Sequence, residues 1–487
     1  MDTENREISI VLALLIVAMF RVFFFNAAFP FFNNVDEILH FDTVVKYSKG
    51  YPPGKNPVFY DRESVNLFSL YGTPEYMKKP EELKTGKVPD PPGSVDKKAE
   101  YLTTLRNHEV HSPPVYYAVA GAWYRTGKLL GLGNGHLLYW VRFLNVGIFG
   151  LLVWFTYLVC GKLYKDDMYM RLGVPLLLAF FPQDLFYSIS SDVLSPLLFS
   201  VSLYLLIRIY TAEGGPLLYL LTGLTVSATF LVKLTNATVL VVLTVFLVLT
   251  TREPDEGESR IRGPNLLFLL SAASIPIIVW LAWNLHALGD MTGTAEKIGI
   301  LGWTKKPLRE VWDHPVFTLD GFAFFLTKLT KTFWRGEFVW GLKAMSLRGM
   351  DLFYVISSFV FVPASLTGLI FSRNHLTPEQ RLFNCLNAFT IFLFIMTLLM
   401  LSVLFDFGES RSPSRELPYF VHGRLMSGAL IPFLILYVNG LGRIVSKITK
   451  RINPLIVVLL IGTLITCSEI YISLKAFESP YNWFHLF

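Results

Sequence analysis

NNVDEILHFD, Asn33–Asp42, follows directly on an apolar run, Ile8–Phe32. A bilayer core of about 30 Å takes roughly 20 apolar helical residues, so that run is long enough to cross. Asp36, Glu37, His40 and Asp42 stand at its mouth. The plain account of such residues is a polar stop at a helix end. Against it, carboxylates held at membrane depth are costly and mark functional sites. A helix over 36–48 places Asp36, His40 and Val44 on one face and Glu37 on its edge, because positions i and i+4 align.

The remaining chain has the same character. Of 487 residues, 53% are hydrophobic and 16% charged, and the mean hydropathy is +0.46. That excludes an ordinary soluble globule. Aromatics reach 15%, which suits long membrane–water boundaries. The net charge of +6 is what basic cytoplasmic loops supply, so no nucleic-acid partner is read from it. Crossings are expected at about 8–30, 139–161, 172–189, 193–211, 215–232, 235–251, 264–286, 351–372, 382–404, 420–440 and 454–474. The expectation is an all-α polytopic membrane protein of about eleven transmembrane helices, one domain over 1–487. Segments 33–138 and 287–350 interrupt the apolar runs. Basic residues cluster in four short loops: Lys162, Lys165 and Arg171; Arg252, Arg260 and Arg262; Arg373 and Arg381; Arg443, Lys447, Lys450 and Arg451. With the N-terminus inside, all four loops are cytoplasmic and both long segments face the other side. The first helix carries no cleavage pattern and reads as a retained signal anchor.

Residues 113–131 open on Pro-Pro and are interrupted by Arg125 and Lys128. They are expected as an interfacial helix on the outer surface, with 316–333 a second. Segment 50–107 lacks periodicity and reads as an irregular covering loop. Cys160, Cys385 and Cys467 lie in apolar runs and read as buried, with no disulfide or metal spacing.

Four groups carry chemistry. Asp36 and Glu37 offer a general base or cation-holding carboxylates. His108, Glu109 and His111 offer proton transfer or metal binding, or a polar lead-in to the Pro-Pro helix start. Asp184 and Asp192, in FPQDLFYSISSDVLSP, 181–196, lie where one crossing emerges outside and the next returns; with Ser190 and Ser191 before Val-Leu, Asp192 is a site acid or part of a helix cap, and the two are compatible. Arg142, Lys233, Arg335 and Arg424 are cations at predicted outer mouths. Any one of them alone is better read as a snorkelling side chain. Four at one level point to an anion, and arginine forks suit phosphate oxygens. A lipid-linked phosphate fits a cavity with carboxylates on one side and cations on the other.

NVDEILHFDTVVKYSKGYPP, HSPPVYYAVAGAWY, WVRFLNVGIFGLLVW, SSDVLSP, VKLTN, TFWRGEFVWG and HGRLMSGALIP resemble, in order, motifs of the GT-C glycosyltransferases that use polyprenyl-phosphate sugars. That superfamily includes the protein O-mannosyltransferases and lipid A aminoarabinose transferase. The resemblance covers roughly 8–445. It implies a GT-C-like bundle with outer jaw helices. It also implies transfer of a sugar from a polyprenyl monophosphate to a lipid, glycan or protein acceptor on the non-cytoplasmic side, with inversion. Asp36 would be the base, helped by Glu37 and Asp192. Lys233, Arg424 and Arg142 would hold the donor phosphate. His40, His108, Glu109 and His111 are acceptor or metal candidates, and dependence on a divalent cation stays open. The expected location is a prokaryotic plasma (inner) membrane. Leu425 stands where the family commonly has an aromatic, and the absence of a large soluble domain after the last crossing argues against the Asn-linked oligosaccharyl type. A transporter or flippase of a lipid-linked glycan, or a non-catalytic scaffold, are the other readings. Transporters gather their charges at the midplane and show internal repeats, and neither is apparent here.

Overall fold

A computed structural model describes residues 3–32, 36–52, 54–78, 94–251, 263–371, 376–410 and 412–486. Arg252, Arg260, Arg262 and Arg373 of the expected cytoplasmic loops lie outside them, as do Asn33–Val35.

The described chain is an all-α polytopic membrane protein. Eight helical stretches are long and apolar enough to cross a membrane. They contain α1 (Thr3–Ala28), α6 (Asn134–Leu163), α8 (Leu194–Tyr210), α11 (Gly263–Leu288), α15 (Arg348–Phe371), α16 (Pro378–Leu404), α17 (Leu430–Ile448) and α18 (Pro454–Phe477). Three shorter apolar helices complete the expected set: α7 (Met168–Ala179), α9 (Pro216–Phe230) and α10 (Thr238–Thr251). Helix starts follow local chemistry. Thr377 and Gln380 form a capping box before α16, with Pro378 in its first turn. Asn453 caps α18 ahead of Pro454.

Small residues let the helices approach. A Cβ on Gly223 of α9 would run into the Leu269 carbonyl of α11, and one on Gly440 of α17 into the Phe361 carbonyl of α15. The stretch containing α17 is 94% buried, against 22% for the one containing α18, so α17 is the central post and α18 lies on the periphery.

The two long polar segments pack on each other. The first holds α2 (Glu37–Ser48), α3 (Arg62–Tyr71), α4 (Ser94–Thr103) and α5 (Val115–Leu129). The second holds α12 (Thr294–Ile300), α13 (Leu308–Val311) and α14 (Leu319–Arg335). Arg106 pairs with Glu296, and the backbone N–H groups of Gly341 and Leu342 donate to the carbonyls of Glu75 and Tyr76. Two-residue ribbons trim this end: β1 (Thr304–Lys305) pairs with β4 (Phe405–Asp406), and β2 (Val339–Trp340) with β3 (Lys343–Ala344).

Three expectations need correction. Segment 50–107 is not wholly irregular, because α3 and α4 form there and pack together. The helix expected over 172–189 stops at Ala179; Pro182 and the polar run to Asp192 leave the chain in a loop and two 3₁₀ turns. Cys160 is buried, but Cys385 and Cys467 are exposed on the outward faces of α16 and α18.

Candidate active site

The site is assembled where helices fail to start cleanly. A 3₁₀ turn, Ser191–Val193, precedes α8 and carries Asp192. Another, Leu234–Ala237, precedes α10 with Lys233 at its N-cap. A third, Gly423–Ala429, precedes α17 and carries Arg424. Glycine matters in the last: a Cβ on Gly423 would overlap the backbone of Phe333. Asp36 precedes α2 in the left-handed region, at φ 62° and ψ 18°, which aspartate tolerates better than most residues.

Arg424 is the centre. Its Nη2 donates to Asp36 Oδ2 at 2.7 Å, its Nε lies 3.3 Å from Glu337 Oε2, and its Nη1 lies 3.8 Å from Asp192 Oδ2. Lys233 Nζ donates to Asp192 Oδ1 at 2.5 Å. His422 Nδ1 and Glu337 Oε1 are 2.5 Å apart. Across the space, Glu109 accepts from Ser112 Oγ at 2.5 Å and pairs with Lys297. His40 Nδ1 meets the Tyr117 hydroxyl at 2.7 Å.

Asp36, His40, Glu109, Lys233, Glu337 and Arg424 line one cavity of about 650 Å³. A second, wider cavity of about 800 Å³ shares Asp36, Met77 and His108 with it and is otherwise largely aromatic and aliphatic. Asp36 therefore stands between two open spaces. Burial raises the Asp36 carboxyl pKa, but the Arg424 guanidinium outweighs it and holds it at about 2. Burial pulls His40 down to about 4, so it is neutral at pH 7. Burial also opposes ionisation of Glu109, but Lys297 and the neighbouring histidines keep its pKa well below the usual carboxylate range.

The sequence expectations divide. Asp36, Asp192, Lys233, Arg424, His40, His108 and Glu109 converge. Asp192 is not the cap, since the Ser190 hydroxyl accepts from its N–H at 3.3 Å. Glu37 and Arg142 do not join them. Both are 0% exposed and bind each other, through Nε to Oε1 at 2.9 Å and Nη2 to Oε2 at 2.7 Å. Arg142 also donates to the carbonyls of Asn26, Phe29 and Pro30, and Ile189 N–H donates to Glu37 Oε1. This is a structural clamp tying α1, α2 and α6 together, not a phosphate site. His111 turns away from His108 to meet Glu296 at 2.9 Å. Among the described residues, no group of three or more His, Cys, Asp or Glu is placed to hold a metal ion. Glu337, His422 and Lys297 were not singled out from the sequence. The first two lie inside the quoted motifs TFWRGEFVWG and HGRLMSGALIP, which was the available signal.

A family model described as "Predicted membrane protein (DUF2142)" matches residues 19–414. The chain belongs to the DUF2142 family. The matched span of this DUF2142 member includes Asp36, Asp192, Lys233 and Glu337. Among solved structures it is similar to the Archaeoglobus fulgidus oligosaccharyltransferase tethered with an acceptor peptide containing the NVT sequon. The identity is 11%, the TM-score 0.42, and the match covers 97% of this chain and 55% of that one. The same archaeal enzyme in complex with Zn and sulfate gives 11%, 0.41, 96% and 53%. The archaeal oligosaccharyltransferase AglB of that organism, with an inhibitory peptide and a dolichol-phosphate, gives 12%, 0.38, 97% and 56%. The chain thus spans about half the length of these enzymes, and scores so low carry no functional argument. No curated protein matches the DUF2142 chain in sequence.

Proposed function

We propose that this protein is a membrane glycosyltransferase with a GT-C-like bundle. It moves a sugar from a polyprenyl monophosphate to an acceptor hydroxyl on the non-cytoplasmic side. The observation that carries the reading is the contact of Asp36 with Arg424, 2.7 Å apart on the wall of a 650 Å³ cavity that also holds Lys233. A base and two phosphate-binding cations are then within one substrate's reach.

The acceptor oxygen attacks the anomeric carbon, and the bond from that carbon to the phosphate oxygen breaks. The bonding pair leaves on the phosphate, where Arg424 and Lys233 stabilise the growing charge. The acceptor proton passes to Asp36. In-line attack from the opposite face inverts the anomeric centre, as the sequence resemblance implies.

Charge makes the order matter. Both cations are already neutralised by carboxylates. An incoming phosphate draws Arg424 away from Asp36, and a carboxylate that loses its cation gains basicity. Donor binding thereby prepares the base.

The test is Asp36→Asn in a reconstituted transfer assay with polyprenyl-phosphate sugar. Turnover should vanish while donor binding survives. Retained turnover would remove Asp36 as the base.

A further inference from the structure

The Gln183–Asp184 pair lies outside the reacting groups, yet it holds the backbone on either side of Glu337, a neighbour of Arg424. Gln183 Nε2 donates to the carbonyls of Phe333 at 2.6 Å and Thr332 at 3.1 Å in the last turn of α14, where the Thr332 carbonyl also accepts from the Gly336 N–H at 2.9 Å. Asp184, 3% exposed, takes the next two donors: its Oδ2 accepts from the N–H groups of Glu337 at 2.5 Å and Phe338 at 2.9 Å. Between them Gly336 sits at φ 79°, and a Cβ there would overlap the Asp184 carboxylate. Two adjacent residues thus fix the turn that aims Glu337 at His422 and Arg424.

We infer that Asp184 is a positioning residue for Glu337, setting through the turn's backbone how strongly Glu337 competes with an incoming phosphate for Arg424. The inference deepens the proposed transferase reading and rests on it. Asp184 Oδ1, by contrast, is buried without a hydrogen-bond partner. The residue lines a small cavity of about 30 Å³, room for about one water, with Tyr187, Arg335, Asp351, Tyr354 and Glu469. Burial first, then the charge of Glu337, raises its pKa to about 7, with the two backbone N–H groups and Arg424 opposing. Asp184 therefore gains or loses a charge beside Glu337 near neutral pH.

The experiment uses the full chain in nanodiscs with undecaprenyl phosphate as probe. Asp184→Leu removes the acceptor of both N–H groups and should change probe affinity about tenfold, the scale of a lost charge-assisted hydrogen bond. In a Glu337→Ala background the same substitution should have no further effect. An equal effect in both backgrounds overturns the inference. Should Asp184→Leu fail to fold, infrared titration of the intact protein decides. A carboxylic-acid band ionising near pH 7 should be missing in Asp184→Asn and shift to lower pH in Glu337→Gln. A band indifferent to Glu337 contradicts the coupling. If undecaprenyl phosphate binds neither wild type nor variants, the transferase reading fails, while the titration still tests Asp184.

Discussion

Removing Glu37 should destabilise the protein rather than disable its chemistry. The Arg142 guanidinium is 0% exposed, shares two bonds with Glu37, and lies 3.9 Å from the Phe31 ring centroid. Taking away the carboxylate leaves a buried charge held only by three carbonyls, at a cost of roughly 3–5 kcal/mol. That is a large part of the 5–15 kcal/mol that typically separates folded from unfolded states. Replacing both partners, as Glu37→Leu with Arg142→Met, leaves no charge behind and should cost less than the sum of the single changes. The assay is equilibrium unfolding in mixed detergent micelles, run as a double-mutant cycle. A Glu37→Gln variant of wild-type stability that lacks turnover would refute the clamp and restore Glu37 to the reacting groups.

Other consequences are as direct. Lys233→Ala should weaken binding of undecaprenyl phosphate; unchanged affinity takes Lys233 out of the phosphate site. Gly423→Ala drives a methyl group into the Phe333 backbone and should lower thermal stability and probe binding together, whereas Gly147→Ala, with open space around it, should change neither. Stability should fall as pH rises from about 4 to about 7, because folded Asp184 keeps a proton that the unfolded chain has already lost. The slope from this group is at most about 1.4 kcal/mol per pH unit, and Asp184→Asn should flatten it. Asp36 runs the other way: its folded carboxyl is depressed to about 2, so its contribution is present above the ordinary value of 3.8 and is lost as pH falls towards 2. A denaturation series from pH 2 to pH 8 separates the two signs.

The apolar stretches were legible because crossing a bilayer demands length, and length is visible in a sequence. The breaks within them were not. The break at Lys233 was an exception, since the crossings expected over 215–232 and 235–251 bracket it, but FLVKLTN gave no sign of the 3₁₀ turn that presents the lysine. Lone cations in greasy runs, Lys233 and Arg424, could be recognised because an unaccompanied charge there needs a reason. Arg142 obeyed the same rule and had a different reason: its partner Glu37 lies 105 residues away, and no local pattern couples the two. Glu37 also shows the limit of adjacency. Asp36 stands before α2 in the left-handed region while Glu37 opens the helix, and that change of backbone conformation sends Asp36 to the cavity and Glu37 into the core. Glu337 was hidden because a Gly-Glu pair after arginine reads as an exposed turn. Only Asp184, 153 residues earlier, makes it a buried one.

A cryo-electron microscopy structure of the protein in nanodiscs with undecaprenyl phosphate bound tests the phosphate site most directly. Phosphate density is expected within hydrogen-bonding reach of Arg424 and Lys233, with Arg424 drawn away from Asp36. Phosphate bound elsewhere, with the Arg424–Asp36 contact intact, would contradict the proposed site.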